Sequence, residues 1–498
     1  MLSLTDTRPF PALQPAFNMA RHVLARGQDC PDKPALVILH PDRDTPFTFA
    51  EVTAQILGCA TALLDLGLHP GDRVLMRLDT GPAFPVVFLA AIAAGMVPVA
   101  TSAALTDGEI TRLASHVAPK LVIADAGVAL PHHPAPVIAP DPATWASLPP
   151  AAYHLGDPHR EGYIVFTSGS SGQPEAVSHA HRAILARATM HAAWEGLTPD
   201  DRLLHAGALN WTYTLGTGLL DPWTLGATAL IPAAGTRTTA LPALLARAEA
   251  TIFAAAPGVF RQMLRECLPA LPKLRHALSA GEGLPEPLRA AWQQATGTDV
   301  HEALGMSELS TCISGSPRHP APPGTAGYVQ PGRLIGCLDD AGNPVARGAP
   351  GELAVSVADP GFMRGYLGRP APMGPWFRTG DMVVMTADGA ITHLGRRDDL
   401  LNAGGFRVSP LEIEAAFHDF PGLTTCAAAE VKIAPGTTII ALFYEASCRI
   451  DAATLHQRAE FALARWKQPR HYQHLVTLPR TANGKLIRRA LGPLYQRP

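Results

Sequence analysis

Lysine is scarce in this 498-residue chain. Six lysines (Lys33, Lys120, Lys273, Lys432, Lys467 and Lys485) stand among 40 basic residues, the rest being arginine, so the position of each carries information. Neither sign of charge is in excess, with 40 Lys and Arg facing 42 Asp and Glu. A nucleic-acid binder normally shows a basic surplus that displaces counterions, and its absence argues against that class of partner. The seven cysteines (Cys30, Cys59, Cys267, Cys312, Cys337, Cys426, Cys448) include no C-x-x-C pair. Neither a zinc site nor a disulfide framework is indicated, and buried thiols in a reducing cytoplasm are the expectation. The opening MLSLTDTRPF lacks a basic stretch followed by an apolar one, so no signal peptide is expected. Only 16% of the residues are charged and 47% are apolar, which argues against disorder. At roughly 150 residues per domain the length allows two to four units.

Charge is also missing locally. Thr80 to Thr106 contains no charged residue, a run long enough to span a bilayer. Pro85, Gly95 and Pro98 interrupt it, however, and no basic cluster flanks it. A short buried helix followed by the strand VPVA is expected there, not a membrane span.

What is present is alternation. The apolar runs DRVLMRL, VPVA, KLVIAD, YIVFTS, ATALIP and TIFAAAP recur between Ala/Leu/Arg-rich stretches of helical spacing. That pattern predicts an α/β fold of mostly parallel sheets covered by helices. After about residue 325 short alternating strands separated by turn signals predict a small antiparallel sheet or barrel, with a hairpin turning at Asp388-Gly389. Beyond Arg396 about 100 residues read as an independent α+β piece. The expected organisation is a large N-terminal domain over 1–395, made of two helix-covered sheets plus a small β-barrel-like subdomain, and a mobile C-terminal domain over 396–498.

The sharpest local motif is Thr167-Ser168-Gly169-Ser170-Ser171-Gly172, which follows the strand YIVF and precedes a helical stretch. Hydroxyls and main-chain N–H groups on such a loop donate to phosphate oxygens, although a plain surface turn has the same composition. No G-x-x-x-x-G-K-[ST] pattern fits here. Four later segments decide between those readings: LGMSE (304–308), FRTGD (377–381), GRRDDLLNAGGFRVSPLEIE (395–414) and PRTANGKLIRR (479–489). Together and in this order they resemble the AMP-forming acyl-adenylate enzymes, and HAGALNWTYTLGTGLLDPWTLGATAL (205–230) is most similar to the benzoate–CoA ligases and their short- to medium-chain acyl-CoA relatives.

The resemblance implies a two-step reaction using ATP, magnesium and coenzyme A. A small carboxylate attacks the α-phosphate to give an acyl-adenylate, and the coenzyme A thiol then displaces AMP. It also assigns roles. Thr167 to Gly172 hold the triphosphate, Ser307 donates to a phosphate, and Glu308 ligates magnesium. Gly281, Glu282 and Gly283 border the adenine and, with Ala303 and Leu304, the acyl pocket, which Gly305, Asn210, Trp211 and Tyr213 continue. Asp381 accepts from the ribose hydroxyls with support from Arg396. Lys485 bridges the carboxylate and the α-phosphate. Asp398 is the hinge of the C-terminal domain, and Gly404, Gly405 and Phe406 receive coenzyme A.

Two positions depart from the pattern. Glu175 stands where the family usually has a lysine reaching the β- and γ-phosphates, with Arg182 or Arg187 as possible substitutes; Leu304 replaces an aromatic that often stacks on adenine. On the residues alone, Trp211 and Tyr213 fit a pocket wall or the core equally, and His179, His181 and His205 read as structural. A ligase that loads a carrier protein, and a degenerate acyl- or nucleotide-binding protein, remain as alternatives. No nucleic-acid partner is expected, and the protein is read as a cytoplasmic monomer or homodimer.

Overall fold

A computed structural model describes residues 1–498 apart from 11, 168–173, 400, 404–405, 435–436, 482–483 and 497–498. Among the described residues two large sheets dominate. A seven-stranded sheet has at its centre the parallel strands Arg73–Arg77, Val97–Ala100, Leu121–Ala124 and Glu161–Phe166. A nine-stranded sheet is built round the parallel strands Arg202–His205, Thr228–Pro232, Ile252–Ala255, His276–Ala280 and Val300–Met306. All six apolar runs singled out in the sequence are strands of these sheets, as burial on both faces requires.

The uncharged run resolves into the helix Ala83–Ala93, with Phe84 to Ala93 buried on every side, and the strand Val97–Ala100. The helix belongs to a core cluster drawn from both large sheets, which is why it needs no polar face. No helix among the described residues is long and apolar enough to cross a membrane.

The antiparallel unit is a five-stranded sheet of Leu4–Asp6, Leu334–Leu338, Pro350–Ser356, Trp376–Met385 and Ile391–Arg396. Its last two strands form the expected hairpin over Asp388-Gly389, and Thr386 donates its hydroxyl to Asp388. After Arg396 the chain passes through the short turn Arg397–Asp399 into a hairpin, the helix Pro410–Ala415, and a three-stranded sheet of Leu423–Ala434, Thr437–Ala446 and His471–His474. Two apolar clusters there draw only on residues beyond 400.

Candidate active site

Ser307 and Glu308 sit in the tight connection between the strands Val300–Met306 and Ser310–Ser314. Gly305 makes that hairpin possible, because a Cβ there would stand 2.5 Å from the Ser310 carbonyl oxygen and the Thr311 Cα. The imidazole of His179 fixes the Ser307 carbonyl at 2.7 Å and stacks on Tyr163 with ring centroids 4.9 Å apart. Burial pushes the His179 pKa down to about 4, so the ring is neutral and its Nε2–H donates to that carbonyl. Glu308 accepts the Tyr366 hydroxyl at 2.7 Å, which orients a hard carboxylate oxygen suited to a divalent cation such as magnesium.

The ribose-binding candidates form a second group. Asp381 and Arg396 face each other across the hairpin, with Arg396 3.5 Å from Asp381 and His393 at 3.2 Å from its other oxygen. Burial alone would raise the Asp381 carboxyl, but His393 and Arg396 outweigh it and hold the group below the usual carboxylate range. His393 acts electrostatically on Glu302 as well, linking this group to the loop Gly281–Gly283. Glu302 accepts the Leu284 N–H at 3.1 Å and pairs with Arg289 at 3.3 Å, yet burial pushes its carboxyl up to about 7. Gly281 has φ +94°, and a Cβ there would lie 2.7 Å from the Trp211 ring, so the indole rests directly on this loop.

The catalytic-lysine candidate reaches the same loop from the other end of the chain. Thr481 and Lys485 bond each other through main-chain N–H and C=O at 2.8 Å, and Lys485 is exposed. Burial raises the Glu282 carboxyl, opposed by the positive charges of Arg480, Arg261 and Lys485. The main-chain N–H of Leu486 lies on the Glu282 side of this turn and helps to lower the Glu282 carboxyl. The structure thus brings Lys485 to the loop Gly281–Gly283, which in turn joins Ala303 and Leu304 through the parallel pairing of Ala280 with Ala303.

The remaining candidate residues fall differently. Ser168, Gly169, Ser170, Ser171 and Gly172 lie outside the described residues, as do Gly404 and Gly405. Thr167 is described, and its N–H donates to the Glu175 carbonyl at 3.0 Å. Phe406 belongs to the strand Phe406–Val408, paired with Leu401–Ala403 and built on the C-terminal core through Leu401 and Val408. The described contacts tie neither this hairpin nor Asp398 to the loops above. Tyr213 is a core residue whose hydroxyl donates to the Leu278 carbonyl at 3.0 Å, while Trp211 is half-buried and meets it edge-on with centroids 5.2 Å apart. Asn210 is half-buried in the same segment. His181 and His205 accept main-chain N–H groups at 3.1 and 3.0 Å, as structural histidines do.

Neither arginine considered as a substitute for the missing lysine is available. Arg182 donates to the carbonyls of Asp359, Pro360 and Phe362. Arg187 is buried against Asp221, with its Nε 2.8 Å from one carboxylate oxygen and its Nη2 on the other. The pair lies between two wide π-helical turns, His191–Glu195 and Gly216–Leu220. His191, Glu195 and Asp221 converge there with ligand atoms within 4.8 Å of one another. This is a filled charge site and a poor metal centre, because the guanidinium already occupies both Asp221 oxygens. Burial and the neighbouring Asp221 push the Glu195 carboxyl well above the usual carboxylate range.

Sequence reasoning missed Tyr366, Arg369, His393 and Glu302. Of these only Glu302 left a trace, as the single carboxylate in the mostly apolar run VHEALGM.

A carboxylate–guanidinium pair on a hairpin, a hydroxyl and carboxylate on a strand-connecting turn, and a lysine segment beside the loop Gly281–Gly283 make up the candidate site. Residues 24–367 match the AMP-binding enzyme family, and the chain belongs to that family. It is 28% identical to 3-hydroxybenzoate–CoA ligase of Aromatoleum sp. (strain CIB), over 97% of either chain. It is 29% identical to benzoate–CoA ligase of Thauera aromatica, over 89% of this chain and 90% of the relative. Among solved structures, a benzoate CoA ligase from Burkholderia xenovorans LB400 superposes with a TM-score of 0.86 at 26% identity, covering 96% of this chain and all of the other. The anthranilate CoA ligase AuaEII, solved with anthranoyl-AMP, shares the fold with a TM-score of 0.87 at 24% identity, covering 97% and 98%.

Proposed function

We propose that this AMP-forming carboxylate–CoA ligase activates a small aromatic or short- to medium-chain acid, an aromatic acid above all. The observation that carries the reading is the proximity of the Lys485 segment to the Gly281–Gly283 loop, where the positive charges of Arg480 and Lys485 act on Glu282. There the ammonium neutralises charge that builds between an attacking carboxylate and the α-phosphate. Asp381 accepts the ribose hydroxyls and Arg396 holds it in place. Ser307, fixed by His179, donates to a phosphate. Magnesium, held through Glu308, supplies charge neutralisation on the polyphosphate. The indole of Trp211 on Gly281 offers a flat apolar wall, which suits an aromatic ring; the aromatic acids named for the relatives support the same choice.

In the second step the coenzyme A thiol displaces AMP. The separate apolar clusters beyond residue 400 support a C-terminal unit over 396–498 that turns about Asp398, withdrawing Lys485 and presenting the hairpin of Phe406. Arg397, just before the pivot, is anchored to Glu352 at 3.0 Å and Asp340 at 2.9 Å on the five-stranded sheet side.

The test is pyrophosphate–ATP exchange across a panel of acids, with and without coenzyme A. Exchange with a benzoate-type acid and formation of its thioester are expected. Exchange without thioester would favour a carrier protein as acceptor, and no exchange with any acid would favour a binding protein. Lys485→Ala is expected to cut adenylation by about 10²–10³-fold while sparing thioester formation from supplied acyl-adenylate. Equal loss in both half-reactions would sink the turning scheme.

A further inference from the structure

The missing loop lysine has a counterpart elsewhere in the chain. Glu175 and Thr167 are the two stems of the Ser/Gly segment: Thr167 N–H donates to the Glu175 carbonyl at 3.0 Å, and Glu175 N–H donates to the Thr167 hydroxyl at 3.3 Å. The strand Ala176–Ala180 that follows Glu175 pairs with the short strand Gly365–Tyr366. The turn after that strand, closed by Arg369 N–H on the Tyr366 carbonyl at 3.0 Å, folds Arg369 back over the Tyr366 ring with its guanidinium carbon 5.7 Å from the centroid. In that position the guanidinium pairs with the Glu175 carboxylate. Tyr366 donates its hydroxyl to Glu308, and Met363 N–H donates to the Glu308 carbonyl at 2.8 Å. One segment, 363–369, therefore laces together the stem of the phosphate loop, the magnesium-ligand candidate and a cation.

The geometry points to Arg369 as the residue that contacts the β- and γ-phosphates of ATP, with Glu175 positioning it. The inference rests on the AMP-forming reading above. Its physical basis is charge and access. Tyr366 donates its hydroxyl to Glu308, and the Arg369 guanidinium over its ring pairs with Glu175, so two carboxylates flank this ring. A polyphosphate arriving beside them needs a fixed positive charge. The Arg369 side chain is 59% exposed against 22% for Glu175, so the guanidinium covers the carboxylate and presents itself to a ligand. Glu175 engages one corner of the planar fork, through Nη2. A guanidinium has five donors and binds phosphate oxygens bidentately, so a polyphosphate is bound without release of Glu175. A lysine at 175 would supply the charge from the loop itself. Here it comes from a residue 194 positions away, and the carboxylate becomes an anchor instead of a repulsive neighbour.

The experiment measures ATP and AMP binding to the full-length enzyme by calorimetry, alongside the KM for ATP in pyrophosphate exchange. Arg369→Ala is expected to weaken ATP binding about tenfold or more and leave AMP binding unchanged, since AMP lacks the phosphates concerned. Glu175→Ala should raise the KM for ATP with kcat largely kept, and Glu175→Asp should restore it. The double variant Glu175→Lys/Arg369→Ala, which returns the charge to the loop, should recover most of the lost ATP affinity. Equal effects on ATP and AMP, no effect on either, or failure of the double variant to recover would overturn the assignment. Wild-type enzyme that binds neither nucleotide would overturn the AMP-forming reading itself, and the assignment with it.

Discussion

Two guanidinium–carboxylate pairs in this molecule have nearly the same chemistry and opposite surroundings. Arg187 and Asp221 are 8% and 0% exposed, and the guanidinium spends its donors on Asp221 and on the Ser310 and Thr217 hydroxyls. Burial would raise the Asp221 carboxyl, but Arg187 outweighs it and keeps the group ionised well below its usual range. Arg369 and Glu175 lie at the surface of the loop stem. A buried pair is costly to break and closed to ligands; an open pair adds little stability and can be recruited by one. Burial, not the identity of the side chains, divides structural from functional charge here.

The largest effect should come from breaking the closed pair. Asp221→Ala is expected to cost about 3–5 kcal/mol of stability, read from denaturant unfolding, because Arg187 is left charged and unpaired. Replacing both residues, as Arg187→Met/Asp221→Leu, should recover most of that loss. If the single change costs less than the double one, the pair is not the closed unit described.

A buried charge without a full partner should show itself through pH. Glu302 has a folded pKa of about 7 against an ordinary 4.5, so between those values the folded protein holds a proton that the unfolded chain releases. Stability contributed by the neutral carboxyl is therefore lost as pH rises through that window, by about 3 kcal/mol in all. The pH slope attributable to this group should vanish in Glu302→Gln. A variant with the same slope as wild type would place the titration elsewhere.

The smallest stability effect belongs to the open pair. Arg369→Ala should shift unfolding by under about 1 kcal/mol, even though it is expected to impair ATP binding. A loss as large as that of Asp221→Ala would erase the distinction between the two pairs.

The sequence made the four central parallel strands of the seven-stranded sheet and two of the nine-stranded sheet legible, because burial on two faces leaves continuous apolar runs bounded by turn residues. It also made the order of the site motifs legible, since each is a short local string. Pairings across the chain were hidden. The strand Leu4–Asp6 is only three residues long and acquires meaning from its partner Leu334–Leu338. Arg369 looks like any surface arginine until the fold sets it against Glu175. Tyr213 could not be told from Trp211 by spacing, yet one faces the core and the other rests on Gly281. The identity of a compensating cation is a tertiary property, and no local pattern encodes it.

The helix Ala83–Ala93 has one more consequence. It has no polar face to turn outward, so it stays covered by the seven-stranded sheet on one side and by the helices Met19–Leu24 and Phe49–Asp65 on another. The helix Phe49–Asp65 in turn packs on the strands Pro34–Leu39 and Asp44–Thr48 of the nine-stranded sheet, so lifting any of these layers would expose apolar surface and they should open together. Hydrogen exchange in the strands Arg73–Arg77 and Val97–Ala100 should then follow the global opening, which leaves the periphery of the molecule to supply its motion.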